Sequence, residues 1–267
     1  MSKIILITGA SSGIGRAISL YLTKIGYIVY GTCRDPKKYN ISEYKLLKCD
    51  INHSNEVKKT VTYILNKEKK IDVLINNAGI GITGPIEETS ENDIKAAFQT
   101  NLFGPIDIIK QCIPSMRKNK NGLIINITSV LGYFGIPFRG IYCSTKSSLE
   151  KIGEVLSMEL KRFNIRVVNV APGDFKTDIS SRRINTKLSN SSVYRDDYDK
   201  SLQSANRHVK NGDSPEEIAI LVQKIINSKF SKIHYKVGPF IQKFSIFLKF
   251  ILPDKIFEKI ILKYSKN

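Results

Sequence analysis

The sequence has few of the residues that build metal sites, disulfide frameworks or membrane spans. It contains no tryptophan, four cysteines and three histidines, and neither the cysteines nor the histidines follow the spacing of a zinc site. It also has no secretory signal and no long uncharged apolar run, so we expect an intracellular, cytoplasmic protein with reduced thiols. Because no linker-like segment separates its motifs, one large α/β domain is favoured over two small ones.

Acidic residues are scarce relative to basic ones. The 267 residues include 42 lysines and arginines but only 24 acids, which gives a net charge of +18. Such a surplus favours an anionic partner, either nucleic acid or the surface of an anionic membrane. Because the lysines are spread along the chain, we expect a solvated basic surface and no nucleic-acid partner.

Among the residues that are present, Tyr142 and Lys146 form a pair four positions apart, downstream of Ser129 at the end of an apolar run. On a helix, positions i and i+4 share a face, so the phenol and the ammonium would point into one pocket. A nearby cation lowers the pKa of a phenol from about 10 towards the working range of a general acid or base. The same spacing also occurs on ordinary exposed helices, so other residues must decide.

A glycine-rich stretch near the start of the chain provides a second pattern. The apolar run at residues 4–7 precedes Thr8-Gly9-Ala10-Ser11-Ser12-Gly13-Ile14-Gly15, and an amphipathic segment follows it. This order predicts a strand, a glycine turn and a helix. Glycines let the backbone approach a phosphate closely, and amide groups at the start of a helix attract its charge. The stretch therefore predicts a phosphate site.

These two patterns and four others make the chain resemble the short-chain dehydrogenase/reductase family. The four others are Asn76-Asn77-Ala78-Gly79, Asn101, Ser129 and Pro172-Gly173, and all six follow the family's order over about residues 3–228. The resemblance implies an α/β fold, a doubly wound Rossmann-type parallel sheet with helices on both faces, over residues 1–238. Residues 239–267 would add an apolar, basic, helical extension. This tail and Cys33-Arg34-Asp35-Pro36 are most similar to the 17β-hydroxysteroid-dehydrogenase-like and retinol-dehydrogenase-like branch.

The resemblance also implies catalytic roles. Tyr142 would donate or accept the hydroxyl proton, and Ser129 would hydrogen-bond the substrate oxygen. Lys146 would lower the pKa of the tyrosine and hold the nicotinamide ribose, and Asn101 would hold a water that links the lysine to solvent.

The cofactor would be held by Tyr142, Lys146 and residues of five loops. In the family, an aspartate at the position of Asp50 meets the adenine amino group and the next side chain packs on the ring. Family members usually carry valine or isoleucine in place of Phe175, and Asn77 could instead hold neighbouring strands together. The loop residues are Gly9, Ser11, Ser12, Gly13, Ile14, Gly15, Arg34, Asp50, Ile51, Asn77, Ala78, Gly79, Pro172, Gly173, Phe175 and Thr177.

Arg34 decides which nicotinamide cofactor is expected. In doubly wound folds, an acid about twenty residues past the glycines binds the ribose hydroxyls of NAD, whereas an arginine there suits the 2′-phosphate of NADP. The second strand, predicted at residues 27–32, is followed by Cys33 and Arg34, so we expect NADP(H) in preference to NAD(H). Ser12 would add a hydrogen bond to the same phosphate. The alternative is a solvated arginine in a turn.

A helix predicted at residues 91–118 contains Pro105, four positions after Asn101. Proline has no N–H to donate to the carbonyl of residue 101, and its ring crowds that carbonyl. We therefore expect a kink that leaves the Asn101 carbonyl free, although a helix bent around the core would have the same sequence. Elsewhere, hydrophobic periodicity predicts strands at residues 44–48, 72–75, 123–128, 165–170 and 233–237, and helices at 142–163 and 214–228.

The expected substrate is a small hydrophobic carbonyl compound or alcohol, such as a steroid, a retinoid or a lipid. Residues 130–141, rich in glycine and aromatics, would form one wall of its pocket, and residues 179–211 would be a mobile loop with helical pieces. The resemblance also implies a homo-oligomer, a dimer or tetramer, that pairs the helices at 91–118 and 142–163.

The C-terminal segment has an unusual combination of apolar and basic residues. Residues 229–267 contain nine lysines and only two acids, and the apolar run from Phe240 is interrupted by Lys243 and Lys249. An apolar face fringed with lysines can lie on an anionic membrane, which would make the protein peripheral to it. Equally, the segment could cover the substrate cleft or pack at a subunit interface.

The expected function is therefore NADP(H)-dependent hydride transfer between nicotinamide and an alcohol/carbonyl pair. A 3-oxoacyl-thioester reductase is an alternative, in which the basic surface would receive an acidic carrier protein. A catalytically silent dinucleotide sensor or membrane-associated scaffold is another, although the complete set of Ser129, Tyr142 and Lys146 argues against it.

Overall fold

The computed structural model describes residues 2–266, and its centre is a parallel β-sheet. The strands are β1 Ile4–Ile7, β2 Ile28–Cys33, β3 Lys45–Lys48, β4 Val73–Asn76, β5 Ile82–Thr83, β6 Gly122–Ile127, β7 Ile165–Pro172, β8 Ile184–Asn185 and β9 His234–Val237. Seven of them form one sheet in the order β3-β2-β1-β4-β6-β7-β9, with every pair parallel. A separate two-stranded sheet joins β5 to β8.

Helices cover both faces of the large sheet. They are α1 Gly13–Lys24, α2 Ser54–Glu68, α3 Glu91–Phe98, α4 Gly104–Lys118, α5 Gly140–Glu159, α6 Arg195–Lys210, α7 Glu216–Asn227, α8 Phe240–Ile251 and α9 Asp254–Lys266. Side chains of β1 alternate between the two faces: Ile5 packs in a cluster with α1 and α7, whereas Leu6 packs in a cluster with α2 and α4. A strand buried on both faces reads as a continuous apolar run, as β1 and β4 do. The predicted doubly wound α/β fold is confirmed.

The functional edge of this sheet follows from its strand order. From β1 the chain builds outward through β2 and β3 on one side, then continues with β4 and β6 on the other. Ligands of open α/β sheets bind outside the carboxyl ends of the strands at such a switch point. The loops after β1, β2, β4, β6 and β7 all leave from this edge.

The predicted helix at residues 91–118 is interrupted. After α3 ends at Phe98, a π-helical turn spans Gln99–Phe103, and the N–H of Gly104 donates to the carbonyl of Gln99, five positions back. Pro105 lies in the first turn of α4, where a missing N–H costs little. The interruption expected at Pro105 therefore takes the form of a wide turn with Asn101 at its middle.

Residues 179–211 contain more regular structure than the predicted loop with helical pieces. A 3₁₀ turn at Ser180–Arg182 leads into β8, and α6 follows with 16 residues. The helix buries only Tyr198, Ser201 and Ser204. Its few apolar residues, Tyr198, Leu202, Ala205 and Val209, do recur at helical spacing, but they stand among so many polar and charged residues that the sequence favours a loop.

The C-terminal helices α8 and α9 pack against the segment that follows β6. Ile246 of α8 and Phe257 and Ile261 of α9 form a buried cluster with Val130 and Phe134. Within residues 2–266, no helix is both long enough and apolar enough to cross a membrane.

Candidate active site

A cavity of about 900 Å³ opens at the carboxyl edge of the sheet. It runs from the glycine loop after β1, past Ser129, Tyr142 and Lys146, to residues of α6, α8 and α9. Of the site residues predicted from the sequence, all but Gly15 and Asn101 line it. The structure thus brings the predicted proton-transfer group and the predicted phosphate loop to one space.

The glycine loop joins β1 to the start of α1. Gly9 and Gly13 have positive φ angles of 65° and 52°, which side chains of L-residues rarely tolerate. Because α1 begins at Gly13, the free N–H groups of its first turn lie at the cavity and favour an anion there. Gly15 acts by close packing, since a Cβ atom there would lie 2.3 Å from the carbonyl oxygen of Gly9.

Asn77 ties the loop after β4 to the glycine loop. Its Nδ2 donates to the carbonyl oxygens of Thr8 at 2.9 Å and Gly9 at 3.0 Å, and its backbone N–H donates to the Thr8 hydroxyl. Asn77 also lines the cavity together with Ala78 and Gly79. It therefore holds neighbouring strands together and remains within reach of a ligand.

Lys146 lies one turn beyond Tyr142 on α5, with its ammonium 6.0 Å from the centre of the phenol ring. The Lys146 Nζ donates a hydrogen bond of 3.0 Å to the carbonyl of Ile127 at the end of β6. Burial lowers the pKa of this ammonium to about 8, and the carboxylate of Glu150 opposes that change. The lysine is thus poised to gain or lose its charge slightly above neutral pH.

The sequence predicts that Lys146 lowers the pKa of the Tyr142 phenol, but other groups determine it. Burial raises it, while a hydrogen bond with Ser129 and the charges of Arg139 and Arg183 lower it again. The expected partner Lys146 directs its ammonium to Ile127, so two arginines supply positive charge that the motif did not predict. Sequence reasoning missed them because one precedes α5 and the other precedes β8, with no periodic relation between them.

Asn101 is fully buried and connects two elements behind the cavity. Its Oδ1 accepts from the N–H of Ile80 at 2.8 Å, and its Nδ2 donates to the Ile80 carbonyl at 2.9 Å and to the Thr145 hydroxyl at 3.1 Å. The side chain therefore fixes the loop after β4 against α5, one residue before Lys146.

The loops after β2 and β3 form the far end of the cavity. Arg34 is exposed there, beside Lys38, which pairs with Asp35 at 3.4 Å. Asp50 accepts from the N–H of Asn52 through Oδ1 at 3.0 Å. Ile51 follows it and is buried.

The turn after β7 forms another wall of the cavity. Phe175 is 3% exposed and belongs to the main core, where it lies against Gly238. The residue that departs from the family pattern is thus anchored in the core while it lines the cavity. Pro172, Gly173 and Thr177 line the cavity on either side of it.

Two further contacts close the cavity from the C-terminal half of the chain. Arg182 Nη1 donates a 2.7 Å hydrogen bond to the hydroxyl of Ser12 in the glycine loop. The Oε1 of Gln242, on α8, accepts a 2.8 Å hydrogen bond from the backbone N–H of Asp174, and its Nε2 donates to the carboxylate of the same residue. These contacts join residues 68 and 170 positions apart, so no local pattern could indicate them.

Comparison with known proteins agrees with this geometry. The model of the family described as "short chain dehydrogenase" matches residues 3–188. A 3-ketodihydrosphingosine reductase from Bacteroides thetaiotaomicron is 38% identical over 96% of this chain and 95% of its own length. Retinol dehydrogenase 8 from Bos taurus is 30% identical over 85% of this chain and 78% of its own. The solved structure of ElxO with NADP bound superimposes with a TM-score of 0.73 and 25% identity, covering 89% of this chain and 97% of that one. The chain therefore belongs to the short-chain dehydrogenase/reductase family, whose members are oxidoreductases that act on CH–OH and C=O groups.

Proposed function

We propose that this enzyme uses NADP(H) to interconvert the carbonyl and hydroxyl forms of a hydrophobic, long-chain substrate. The observation that carries the proposal is the single cavity that joins the glycine loop and Tyr142 to an apolar region lined by Phe134, Ile136 and Ile261. Two relatives named for lipid-like substrates, the 3-ketodihydrosphingosine reductase and retinol dehydrogenase 8, support a substrate of this class.

The residues of the cavity fit a nicotinamide dinucleotide. The amide groups at the start of α1 suit its pyrophosphate, and the positive φ angles of Gly9 and Gly13 leave the approach clear of side chains. Further contacts would come from two groups, the adenosine end at Ser11, Ser12, Ile14, Arg34, Asp50 and Ile51, and the nicotinamide end at Asn77, Ala78, Gly79, Tyr142, Lys146, Pro172, Gly173, Phe175 and Thr177.

The preference for NADP(H) rests on positive charge at the end of β2. Arg34 and Lys38 line this end of the cavity, and Arg182 reaches the hydroxyl of Ser12 beside it. Asp35, the acid that could oppose a 2′-phosphate, is paired with Lys38. The net charge that remains favours a phosphate over ribose hydroxyls.

The protein residues carry the proton chemistry, while the cofactor, when bound, supplies or accepts the hydride. In reduction, the hydroxyl of Tyr142 gives its proton to the substrate oxygen, and Ser129 holds that oxygen by a hydrogen bond. Burial raises the pKa of Tyr142, which keeps the phenol protonated and ready to donate at neutral pH. Lys146 restores the proton from solvent, and Asn101 keeps the segment that carries it in position.

The C-terminal helices, within the predicted extension at residues 239–267, support contact with an anionic membrane. Phe240, Phe244, Phe247 and Ile251 are exposed along one face of α8, and the first three rings stack in a row. The opposite face of α8 buries Ile246 next to the cavity region. A lipid substrate could then pass between the bilayer and the cavity without crossing water.

We also infer that the chain forms a homodimer or tetramer through α4 and α5. Apolar side chains exposed on and beside these helices, Phe103, Val155 and Met158, support this interface. Sedimentation velocity of the full chain measures the subunit number, and a monomer at micromolar concentration would contradict the inference.

The experiment that tests the function combines cofactor binding with turnover. NADPH and NADH are titrated by nicotinamide fluorescence, and consumption of NADPH is then followed with a panel of hydrophobic ketones and aldehydes. We expect tighter binding of NADPH than of NADH, and a loss of turnover of about 10²–10⁴-fold in Tyr142→Phe. Tyr63→Phe, at an exposed tyrosine of α2, is the matched control and should retain full activity.

Two outcomes would contradict this function. If Tyr142→Phe is as active as the unmodified chain, the tyrosine is not the proton donor. If the cofactor binds and no free ketone is consumed, carrier-linked 3-oxoacyl thioesters are tested next, and failure there would favour a dinucleotide sensor.

A further inference from the structure

Two arginines reach the cavity at its substrate end. Arg183 precedes β8 and is only 9% exposed; its aliphatic stem lies against Gly81, and its Nη1 donates a 3.0 Å hydrogen bond to the Oδ1 of Asn206. Arg139 caps the start of α5 and is partly buried. Within residues 2–266, the guanidinium of Arg139 forms no hydrogen bond and no ion pair.

The two arginines line the same cavity, where their charges repel each other. Burial is the main cause that lowers the pKa of Arg183 and the charge of Arg139 is the next; against nearby groups that raise it, they bring this pKa to about 10. A guanidinium group stays protonated in proteins at neutral pH, so both side chains are cations. Partly desolvated like charges without a paired carboxylate are costly for a folded protein, and such arrangements are concentrated at functional sites.

Asp174 is the acidic residue whose charge affects both Arg139 and Arg183. Its charge raises the pKa of both arginines, yet it forms an ion pair with neither of them in the described part of the chain. Its carboxylate instead accepts a hydrogen bond from Gln242. One carboxylate facing two guanidinium groups leaves net positive charge in this part of the cavity.

The position of the pair points to the substrate rather than to the cofactor. Arg139, Arg183 and Tyr142 line the same cavity, and Arg139 lies at the start of α5, three positions before Tyr142. The charges of both arginines also lower the pKa of Tyr142, which agrees with this placement. The neighbouring Arg182 instead reaches Ser12 in the glycine loop. Phosphates of the cofactor therefore already have a cation, and the other two arginines are left for a different anion.

We propose that Arg139 and Arg183 form a subsite for an anionic group, a carboxylate or a phosphate, that the substrate carries close to its reacting carbonyl or hydroxyl. The inference rests on the proposed function, because it assumes that the cavity binds an apolar carbonyl or alcohol beside Tyr142. It narrows that substrate to an acidic amphiphile, with its chain along Phe134 and Ile261 and its charged head at the arginines. An amine in place of the acid would meet two cations instead. The lipid in the name of the Bacteroides thetaiotaomicron relative carries an amine, so that relative supports the apolar chain of the substrate and not the acidic head group proposed here.

The direct test compares ligands that share one chain and differ only in head group. Decanoate, decyl phosphate, decanol and decylammonium are titrated calorimetrically into the full protein saturated with NADPH. We expect at least one anion to bind about tenfold or more tightly than decanol, and decylammonium to bind most weakly. The anion that binds better identifies the head group as carboxylate or phosphate. Equal binding of decanoate, decyl phosphate and decanol, or a preference for decylammonium, overturns the proposal.

Variants then assign the effect to the two side chains. Arg139→Gln and Arg183→Gln should each weaken binding of the preferred anion about tenfold, while leaving decanol binding and NADPH affinity unchanged; the corresponding lysine variants should retain part of the effect. Arg117→Gln, at an exposed arginine of α4, is the matched control. If the glutamine variants lose NADPH affinity but bind decanoate and decyl phosphate as before, the pair serves the cofactor and the proposal fails.

Turnover separates this inference from the function on which it rests. 4-Oxodecanoate and its methyl ester are compared as substrates of the unmodified protein, and we expect a lower KM for the acid. Reduction of both with equal KM would overturn the anion subsite for this reaction and leave the proposed function intact. Anion binding that depends on the arginines, without reduction of any ketone, would instead overturn the proposed function alone.

Discussion

At the scale of single residues, the ammonium of Lys146 is subject to two opposing effects. Burial lowers its pKa from 10.5 to about 8, and the charge of Glu150, one turn further along α5, raises it. Glu150 is itself 3% exposed and accepts hydrogen bonds from Thr128 and Asn169. A carboxylate held this firmly keeps the lysine charged at neutral pH without touching the substrate.

Glu150→Gln should therefore shift the pH dependence of the reaction. With the carboxylate gone, burial acts alone and the pKa of Lys146 falls below 8, so the lysine loses its proton at a lower pH. We expect the falling limb of kcat/KM for NADPH, a parameter that reports the free enzyme, to move to lower pH. Glu154→Gln is the matched control, because Glu154 contacts His234 but does not alter the pKa of Lys146. An unchanged limb in Glu150→Gln would show that another group controls it.

Arg34 gives a second prediction at this scale. Its side chain is exposed at the end of β2 and forms no ion pair within the described residues, so it is available to a 2′-phosphate. Arg34→Ala should weaken NADPH binding by about 1.5–3 kcal/mol, the usual contribution of a hydrogen bond to a charged group, and leave NADH binding nearly unchanged. Fluorescence titration of both nucleotides measures the difference. A parallel loss for NADH would mean that the arginine does not distinguish the two cofactors.

The residues that could be predicted are those whose chemistry is local in the chain. Tyr142 and Lys146 share one helix face, and the glycine loop is a continuous stretch, so spacing alone indicates that each set acts together. Arg183, directly before β8, and Gln242, on α8, line the cavity only because tertiary packing brings these elements to it. The spacing of residues in the sequence therefore could not predict their place in the site.

At the scale of secondary-structure elements, α5 carries Tyr142 and Lys146, and its position depends on close contact with β7. A Cβ atom on Gly153 of α5 would lie 2.1 Å from the Oδ1 of Asn169 on β7. Asn169 cannot move aside easily, because it donates to the carbonyl of Glu150 at 2.9 Å and accepts from Asn126 at 3.0 Å. The helix therefore approaches the sheet as closely as a glycine permits.

Gly153→Ala should accordingly destabilise the fold. Overpacking at such a contact costs about 1–3 kcal/mol of the free energy of unfolding, which denaturant titration with the cofactor absent measures directly. Gly135→Ala is the matched control: nothing lies within 4 Å of its added Cβ, so we expect a change within about 0.5 kcal/mol. Equal stability of the two variants would mean that α5 can shift away from β7 without cost.

Elements were predictable where their own sequence required burial. The inner strands β1, β4 and β6 are short, mostly apolar runs, and α7 follows Pro215 with acids in its first turn. By contrast, β5 and β8 have two residues each and form only because the chain brings Ile82 beside Ile184. The π-helical turn at Gln99–Phe103 likewise differs from an α-helix by a hydrogen-bond shift that apolar spacing does not reveal.

At the scale of the whole molecule, the net charge of +18 and the exposed apolar face of α8 are two parts of one surface property. Phe244 and Phe247 are 42% and 56% exposed, although aromatic side chains of this size are usually buried. Lys243 and Lys255 lie on the same pair of helices. Apolar insertion and attraction to anionic lipid would therefore act together, and neither alone binds a membrane strongly.

This combination predicts a specific dependence on lipid charge. The full chain should sediment with vesicles that contain phosphatidylserine, bind less to vesicles of phosphatidylcholine alone, and be released as salt screens the lysines. The double variant Phe244→Asp, Phe247→Asp should weaken partitioning by at least about tenfold, because two exposed rings that would insert into the bilayer are replaced by charges that the anionic surface repels. Val193→Asp, at an 89% exposed apolar residue between β8 and α6, is the matched control and should bind as the unmodified chain does. If both variants bind vesicles equally, α8 does not face the bilayer, and its exposed rings are instead available to a second copy of the chain. Sedimentation velocity of the Phe244→Asp, Phe247→Asp variant would then detect the loss of self-association.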